Sequence, residues 1–91
     1  MLNQMVLIGR IEKMRDHQIV LRVTRSYKNE DGLYDNDWFT IDLTDNIYDN
    51  VQSLCSLEDI IGIKGRLEGT EDKIKIAVEK VTVLSSKAKE N

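Results

Sequence analysis

The sequence predicts an all-β domain in which five short strands are joined by turns and one short helix lies between the third and fourth strands. Five stretches of the 91 residues alternate apolar and polar side chains with the period of two that is typical of strands with one buried face. One stretch, at 45–54, places apolar residues at helical spacing instead. Charged or glycine-containing turns separate most of these stretches, and the chain has no proline to interrupt them.

The strands are expected at 5–11, 18–27, 37–44, 58–68 and 73–84, with a charged turn at 12–18, and the first strand is apolar on both faces over its first half. Met5, Leu7 and Gly9 point to one side of it, and Val6, Ile8 and Arg10 point to the other. Such a strand needs cover on both sides. We therefore expect the core on one side and a partner subunit against Met5, Val6 and Ile8 on the other, the alternative being a central strand of a single sheet.

The second and third strands surround a turn at 29–32 and hold most of the aromatic residues. In the third strand the apolar alternation runs through Phe39 and Ile41, whereas Trp38 falls on the opposite, polar face. A large apolar ring among polar neighbours needs an explanation. It is either an open platform for stacking or a ring that a loop or another subunit covers.

The order of the remaining elements predicts the architecture. The helix has Ile47, Val51 and Leu54 on one stripe, and the alternation of the last strand slips near Glu79, which predicts a β-bulge. Three strands, a short helix and two strands are the order of a five-stranded OB-fold barrel with one short helix between strands 3 and 4. The residues expected to point inward are Ile61, Ile63 and Leu67 in the fourth strand and Ile74, Ile76 and Val78 in the fifth.

Composition excludes several classes of function. The single cysteine, Cys55, is expected to be buried, and the single histidine, His17, is expected in a solvated turn, so the sequence predicts no metal site and no cofactor. No phosphate-binding glycine loop or nucleophile–base pair indicates an enzyme. The opening residues lack the pattern of a signal peptide, and no apolar run approaches the roughly 20 residues of a membrane span. We expect a cytoplasmic protein with one domain at 1–84 and a short polar tail at 85–91.

The net charge is −3, so any binding of nucleic acid would depend on how the cations are distributed. Alternation places basic side chains on outward strand faces, whereas acids concentrate in the turns and the helix region, and only Asp42 is expected on those faces. A weakly acidic protein can in this way carry a basic groove, although an ordinary solvated face has the same pattern. The basic residues expected to line the groove are Arg10, Arg22, Arg25, Lys28, Lys64, Arg66, Lys73 and Lys75.

Three stretches carry a family resemblance: MLNQMVLIGRI at 1–11, LRVTRSYKN at 21–29 with DWF at 37–39, and IIGIKGRL at 60–67. In this order they resemble the opening strand, the central hairpin and the fourth strand of bacterial single-stranded DNA-binding proteins (SSB). The resemblance implies that bases stack on Tyr27 and Trp38 while phosphates follow the cations. It also implies a homodimer or homotetramer that serves DNA replication, repair or recombination in a bacterium or phage.

Departures from the SSB pattern leave other functions open. The turn before the fifth strand is short, no aromatic residue lies between Ile60 and Leu84, and the glycine-rich linker and acidic tip through which SSB recruits partners are not seen. The small build also resembles primosomal replication protein B. The alternative is therefore a protein-interaction module with vestigial DNA binding that contacts replication or primosome proteins, and an RNA-binding OB domain is a third hypothesis.

Overall fold

The computed structural model describes residues 2–85, which form one sheet of five strands and a single helix. The elements are β1 (Met5–Arg15), β2 (Gln18–Lys28), β3 (Tyr34–Asp42), α1 (Asp45–Leu54), β4 (Ile60–Gly69) and β5 (Ile74–Ser85). All paired strands are antiparallel, in the order β3-β2-β1-β4-β5. The sheet curls until β3 contacts β5. The predicted five strands and helix, in this order, are confirmed.

β1 is the central strand, and it is longer than predicted. Its first half pairs with β4, and its second half, from Arg10 onward, pairs with β2. The prediction of a turn at 12–18 is wrong, because a bulge takes up Glu12 and lets the pairing continue to the end of β1. The turn itself consists of Asp16 and His17, whose φ angles of 52° and 62° suit a two-residue hairpin.

The core lies between the inner face of the sheet and α1. Its fully buried aliphatic side chains are Ile11, Ile19, Leu21, Ile41, Ile61 and Ile63. The predicted inward positions of Leu67 and Ile74 are wrong, because these side chains are 44% and 77% exposed. Every residue at 66–75 is exposed, so the β4–β5 hairpin runs past the end of the core. Leu54, at the end of the predicted helix stripe, is exposed as well.

The predicted bulge in the last strand is confirmed. The register between β4 and β5 shifts between Lys64 and Gly65, which leaves Glu79 as an extra residue in β5. A side chain at Gly65 would overlap the carbonyl oxygen of Ala77. The bulge and the glycine therefore allow the two backbones to approach closely where the hairpin coils around the core.

Cys55 and His17 lie where the sequence predicts, with one addition. Cys55 is buried, and burial raises the pKa of its thiol. His17 lies in a turn, but its Nε2 is 3.1 Å from Oδ1 of Asp45 and its ring centre is 4.8 Å from that of Tyr48. These contacts connect the β1–β2 turn to the start of α1.

The described residues bear on three further predictions. Within residues 2–85 no group of three His, Cys, Asp or Glu side chains could hold a metal ion. No helix in this part of the chain combines the length and the apolar character needed to cross a membrane. The predicted polar tail lies outside the described residues except for Ser85, which ends β5.

Candidate nucleic-acid interface

Trp38 lies on the outward face of β3, and its side chain is 56% exposed. The strand register places Arg22 of β2 opposite Trp38 and Arg10 of β1 opposite Arg22, so the three residues form one row across the sheet. Within residues 2–85, therefore, no loop of the same chain covers Trp38. The ring is accessible for stacking, as the first of the two interpretations requires.

Two tyrosines stand beside the β2–β3 turn, where Tyr27 is 64% and Tyr34 is 52% exposed. Lys28 lies opposite Tyr34, and its Nζ is 5.8 Å from the centre of that ring, which is the geometry of a cation–π contact. The predicted site does not include Tyr34, because the third strand is expected to begin only at 37. The signal for Tyr34 in the sequence is its place two residues after the Asp-Gly turn. We refer to Tyr27, Tyr34 and Trp38, the exposed rings of β2 and β3, as the aromatic surface; Tyr34 and Trp38 share one face of β3.

Asn29 holds the turn that carries these tyrosines. Its Oδ1 accepts hydrogen bonds from the backbone N–H groups of Asp31 and Leu33 at 2.9 and 3.0 Å, and its Nδ2 donates to Asp35 at 3.0 Å. Gly32 adopts a φ of 79°, a conformation that glycine accepts without strain. Because these bonds join the ends of β2 and β3, the aromatic surface is built on a preorganised hairpin.

Carboxylates pair with three of the four arginines of the predicted groove. The expectation that Asp42 is the only acid on the strand faces is wrong for two reasons: the bulge in β1 brings Glu12 into a strand, and β3 begins early enough to include Asp35. The positive charge of the predicted groove is therefore largely balanced at its arginines. The ion pairs join Arg22 to Glu12 and Glu58, Arg25 to Asp37 and Asp35, and Arg66 to Glu68 and Glu79.

Arg10 and Arg22 hold the segment that precedes β4. Arg22 donates from Nη2 to Oε2 of Glu58 at 2.9 Å and from Nη1 to Oε1 of Glu12 at 3.3 Å, and Arg10 donates from Nη1 to the backbone oxygen of Glu58 at 2.9 Å. The hydrogen bond to Glu58 raises the pKa of Arg22. Glu58 has a φ of 72°, which residues other than glycine adopt rarely. The two arginines thus stabilise an unusual backbone conformation.

Arg25 and Asp37 form a two-pronged ion pair close to Tyr27. By strand alternation, Asp37 lies on the face of β3 opposite Trp38 and Tyr34. Nε of Arg25 donates to Oδ2 of Asp37 at 3.0 Å, and Nη2 donates to Oδ1 at 2.9 Å. This hydrogen bonding holds the pKa of Asp37 below its ordinary value and raises the pKa of Arg25. Both groups are therefore charged near neutral pH.

The lysines of the predicted groove have no carboxylate partner within residues 2–85. Lys75 and Arg66 line a cleft of about 340 Å³ near the end of β3, which Asp42 and Thr44 also line. The structure thus divides the predicted site into separate groups. One is the row of Arg10, Arg22 and Trp38, the second is Arg25, Tyr27 and Lys28 near the β2–β3 turn, and the third is Lys64, Arg66, Lys73 and Lys75 along β4 and the hairpin to β5.

The residues of the predicted subunit interface lie on β1. Met5 is half-buried, whereas Val6 and Ile8 are 65% and 56% exposed. A side chain at Gly62 would lie 3.5 Å from Leu84 and 3.9 Å from Ile8, which places exposed Leu84 on the same side of the sheet as Ile8. We refer to Val6, Ile8 and Leu84 as the aliphatic patch. In the described chain no strand pairs with the second edge of residues 5–8, so a face and an edge are both open.

Comparisons with known proteins agree at the level of the fold. No protein-family model matches the chain, and no curated protein matches it in sequence. Two crystal structures of the mitochondrial single-stranded DNA-binding protein Rim1 from S. cerevisiae are similar to it. The first has a TM-score of 0.69 at 14% sequence identity, and the aligned part covers 92% of this chain and 96% of the Rim1 chain. The second has a TM-score of 0.67 at 10% sequence identity, and the aligned part covers 91% of this chain and 93% of the Rim1 chain. The chain therefore shares the OB-fold of these two structures.

Proposed function

We propose that this protein binds single-stranded DNA without sequence preference and without catalysis, and that the aromatic surface is its binding site. The observation that carries the proposal is the exposure of Trp38, together with that of Tyr27 and Tyr34, on this fold. Exposed rings are otherwise unfavourable in water, and they suit the flat faces of unpaired bases. The names of the two similar structures support the same ligand.

Binding combines stacking with phosphate contacts. Each base stacked on an aromatic ring contributes roughly 1–3 kcal/mol, and every base has a face that can stack, so little sequence preference results. The lysines without carboxylate partners supply the phosphate contacts, which release counterions and make binding weaken with salt. The affinity is modest, because the paired arginines contribute little to the positive potential of the surface.

The proposal extends to assembly and role. A second copy of the chain covers the aliphatic patch and pairs with the open edge of residues 5–8, which gives a homodimer and, through two such dimers, a homotetramer. Covering exposed Val6 and Ile8 removes apolar surface from water, which a domain of this size needs for stability. The assembly serves DNA replication, repair or recombination in the cytoplasm of a bacterium or in phage infection.

The second candidate is the protein-interaction module in which DNA binding is vestigial. It is favoured by the balanced arginines and by the net charge of −3, which together weaken attraction to phosphates. On this hypothesis the aromatic surface contacts a replication or primosome protein instead of bases.

Fluorescence of the single Trp38 tests the function directly. We expect titration with oligo(dT) to quench the emission and to saturate, while a duplex of equal length gives little change at moderate salt. An oligo(rU) titration compares RNA with DNA on the same surface. Absence of any change with oligo(dT) at low salt would exclude the DNA hypothesis and favour the interaction module.

A further inference from the structure

Asp37 occupies one edge of the Arg25 guanidinium. A guanidinium has five N–H donors, and the edge that carries Nε and Nη2 suits a two-pronged contact with a carboxylate or a phosphate. In this hairpin both donors of that edge bond to Asp37, at 3.0 and 2.9 Å. The remaining terminal nitrogen, Nη1, is 3.9 Å from Oδ2 of Asp35. A phosphate would therefore find the best edge of Arg25 already occupied by an anion of similar geometry.

Lys28, on the same strand, differs from Arg25 because its charge is not balanced by a carboxylate within residues 2–85. Its ammonium lies 5.8 Å from the centre of the Tyr34 ring and has no carboxylate partner among the described residues. A cation above a ring keeps its charge and its three donors. The hairpin thus holds one cation that a carboxylate balances, close to Tyr27, and one that can reach a phosphate, beside Tyr34.

We propose that Asp37 is a specificity-determining residue that makes the β2–β3 hairpin prefer unpaired bases to duplex DNA, because it holds Arg25 away from phosphates. The inference rests on the proposed function and deepens it. A duplex offers phosphates but hides its base faces, so a surface with fewer available cations loses more affinity for duplex than for single strands. Arg25 can still contribute through the flat face of its guanidinium, which stacks on bases without releasing counterions.

The test compares Asp37→Asn with Asp49→Asn. Asp49 is exposed on α1 and forms no ion pair within residues 2–85, so the second variant makes the same change in net charge away from the hairpin. Affinities for labelled oligo(dT) and for a labelled duplex of equal length are measured over a range of salt. We expect D37N to strengthen duplex binding more than oligo(dT) binding, and D49N to change both only slightly and equally.

Salt dependence gives a second measurement. One added phosphate contact steepens the dependence of log affinity on log salt by about 0.7 for a single strand, so the gain of D37N should shrink about fivefold for each tenfold rise in salt. In the otherwise unchanged protein, Lys28→Ala should reduce the slope and Arg25→Ala should not. If R25A lowers the slope as much as K28A does, Arg25 contacts phosphate and the proposal is wrong.

The remaining outcomes also test the role of Asp37. Equal effects of D37N and D49N on the ratio of the two affinities would overturn the role of Asp37. If D37N does not fold, as shown by circular dichroism, the comparison of R25A with K28A decides alone. If the unchanged protein binds neither DNA, the proposed function fails, and retention on heparin then tests whether Asp37 withholds Arg25 from anions. D37N must elute at higher salt than D49N, and equal elution would contradict the proposal.

Discussion

The aromatic surface and the aliphatic patch are both exposed and apolar, yet they differ in what surrounds them. Tyr27, Tyr34 and Trp38 lie on two strands whose arginines pair with carboxylates, and the turn that joins these strands is held by side-chain hydrogen bonds. Val6 and Ile8 lie on a strand with one unpaired edge. Rings in a fixed polar frame suit a ligand that stacks, whereas aliphatic side chains beside an open strand edge suit another protein chain. Exposure alone does not tell these two surfaces apart, but their neighbours do.

The largest expected effect is the loss of the subunit contact proposed for the aliphatic patch. Val6→Asp or Ile8→Asp would place a charge without a partner in a dry contact, which costs several kcal/mol and should give a destabilised monomer. Thr40→Asp, at an exposed position of β3, is the control and should leave the assembly intact. Sedimentation and thermal melting measure the result. An unchanged mass and melting temperature would show that this face is not an interface.

The next effect is on the aromatic surface. Trp38→Ala should weaken oligo(dT) binding by roughly 1–3 kcal/mol, which is about 5- to 150-fold, and should leave the melting temperature nearly unchanged because the ring is more than half exposed. Leu54→Ala removes an exposed apolar side chain from α1 and should affect neither quantity. Anisotropy of a labelled oligo(dT) provides the affinity. A large loss of stability with unchanged affinity would mean that Trp38 packs against a subunit instead.

Tyr34 sharpens the comparison, because only the strand register shows its place beside Lys28. Tyr34→Ala should weaken oligo(dT) binding by about 1 kcal/mol, the lower end of the range for stacking, since a phenol ring is smaller than an indole. Tyr34→Phe keeps the ring and should bind almost normally. Equal losses in the two variants would show that the hydroxyl group, and not the ring, makes the contact.

The smallest effect concerns acid. Hydrogen bonding from Arg25 lowers the pKa of Asp37 in the folded state, so the unfolded chain takes up a proton first as the pH falls below about 4. The pair therefore stabilises the fold above that pH, and this contribution is lost as the pH falls through the lower folded pKa. Asp37→Asn should therefore reduce the fall in melting temperature that occurs on acidification. Asp49→Asn, which changes the net charge by the same amount, is the control. Identical acid profiles would contradict the assignment.

The sequence predicts the architecture well because period-two alternation records which face of a strand is buried. It locates even the Glu79 bulge, since an extra residue reverses the phase of the alternation. Alternation cannot show where a hairpin leaves the core, so Leu67 and Ile74 are predicted inward although both are exposed. Both continue the apolar phase of their strands beyond the last residues that the core covers.

The candidate site is less predictable, because ion pairs depend on register. Arg25 and Asp37 are far apart in the sequence, and only the alignment of β2 with β3 brings them together. The pairing of Arg22 with Glu58 needs a left-handed residue in an irregular segment, which no pattern indicates. Basic residues could therefore be placed on strands from the sequence, but their availability to a ligand could not.

The division of β1 between two partners has a consequence for synthesis of the chain. β2 follows β1 at once, but Leu7 pairs with Ile63, which lies 56 positions later (63 minus 7). A ribosome adds roughly 5–20 residues per second, so the first half of β1 waits about 3 to 11 seconds for β4. During that interval neither edge of this apolar segment is hydrogen-bonded to another strand of its own chain. Nascent chains stalled before residue 60 should therefore be the form that chaperones bind, and chains that extend past β4 should escape them.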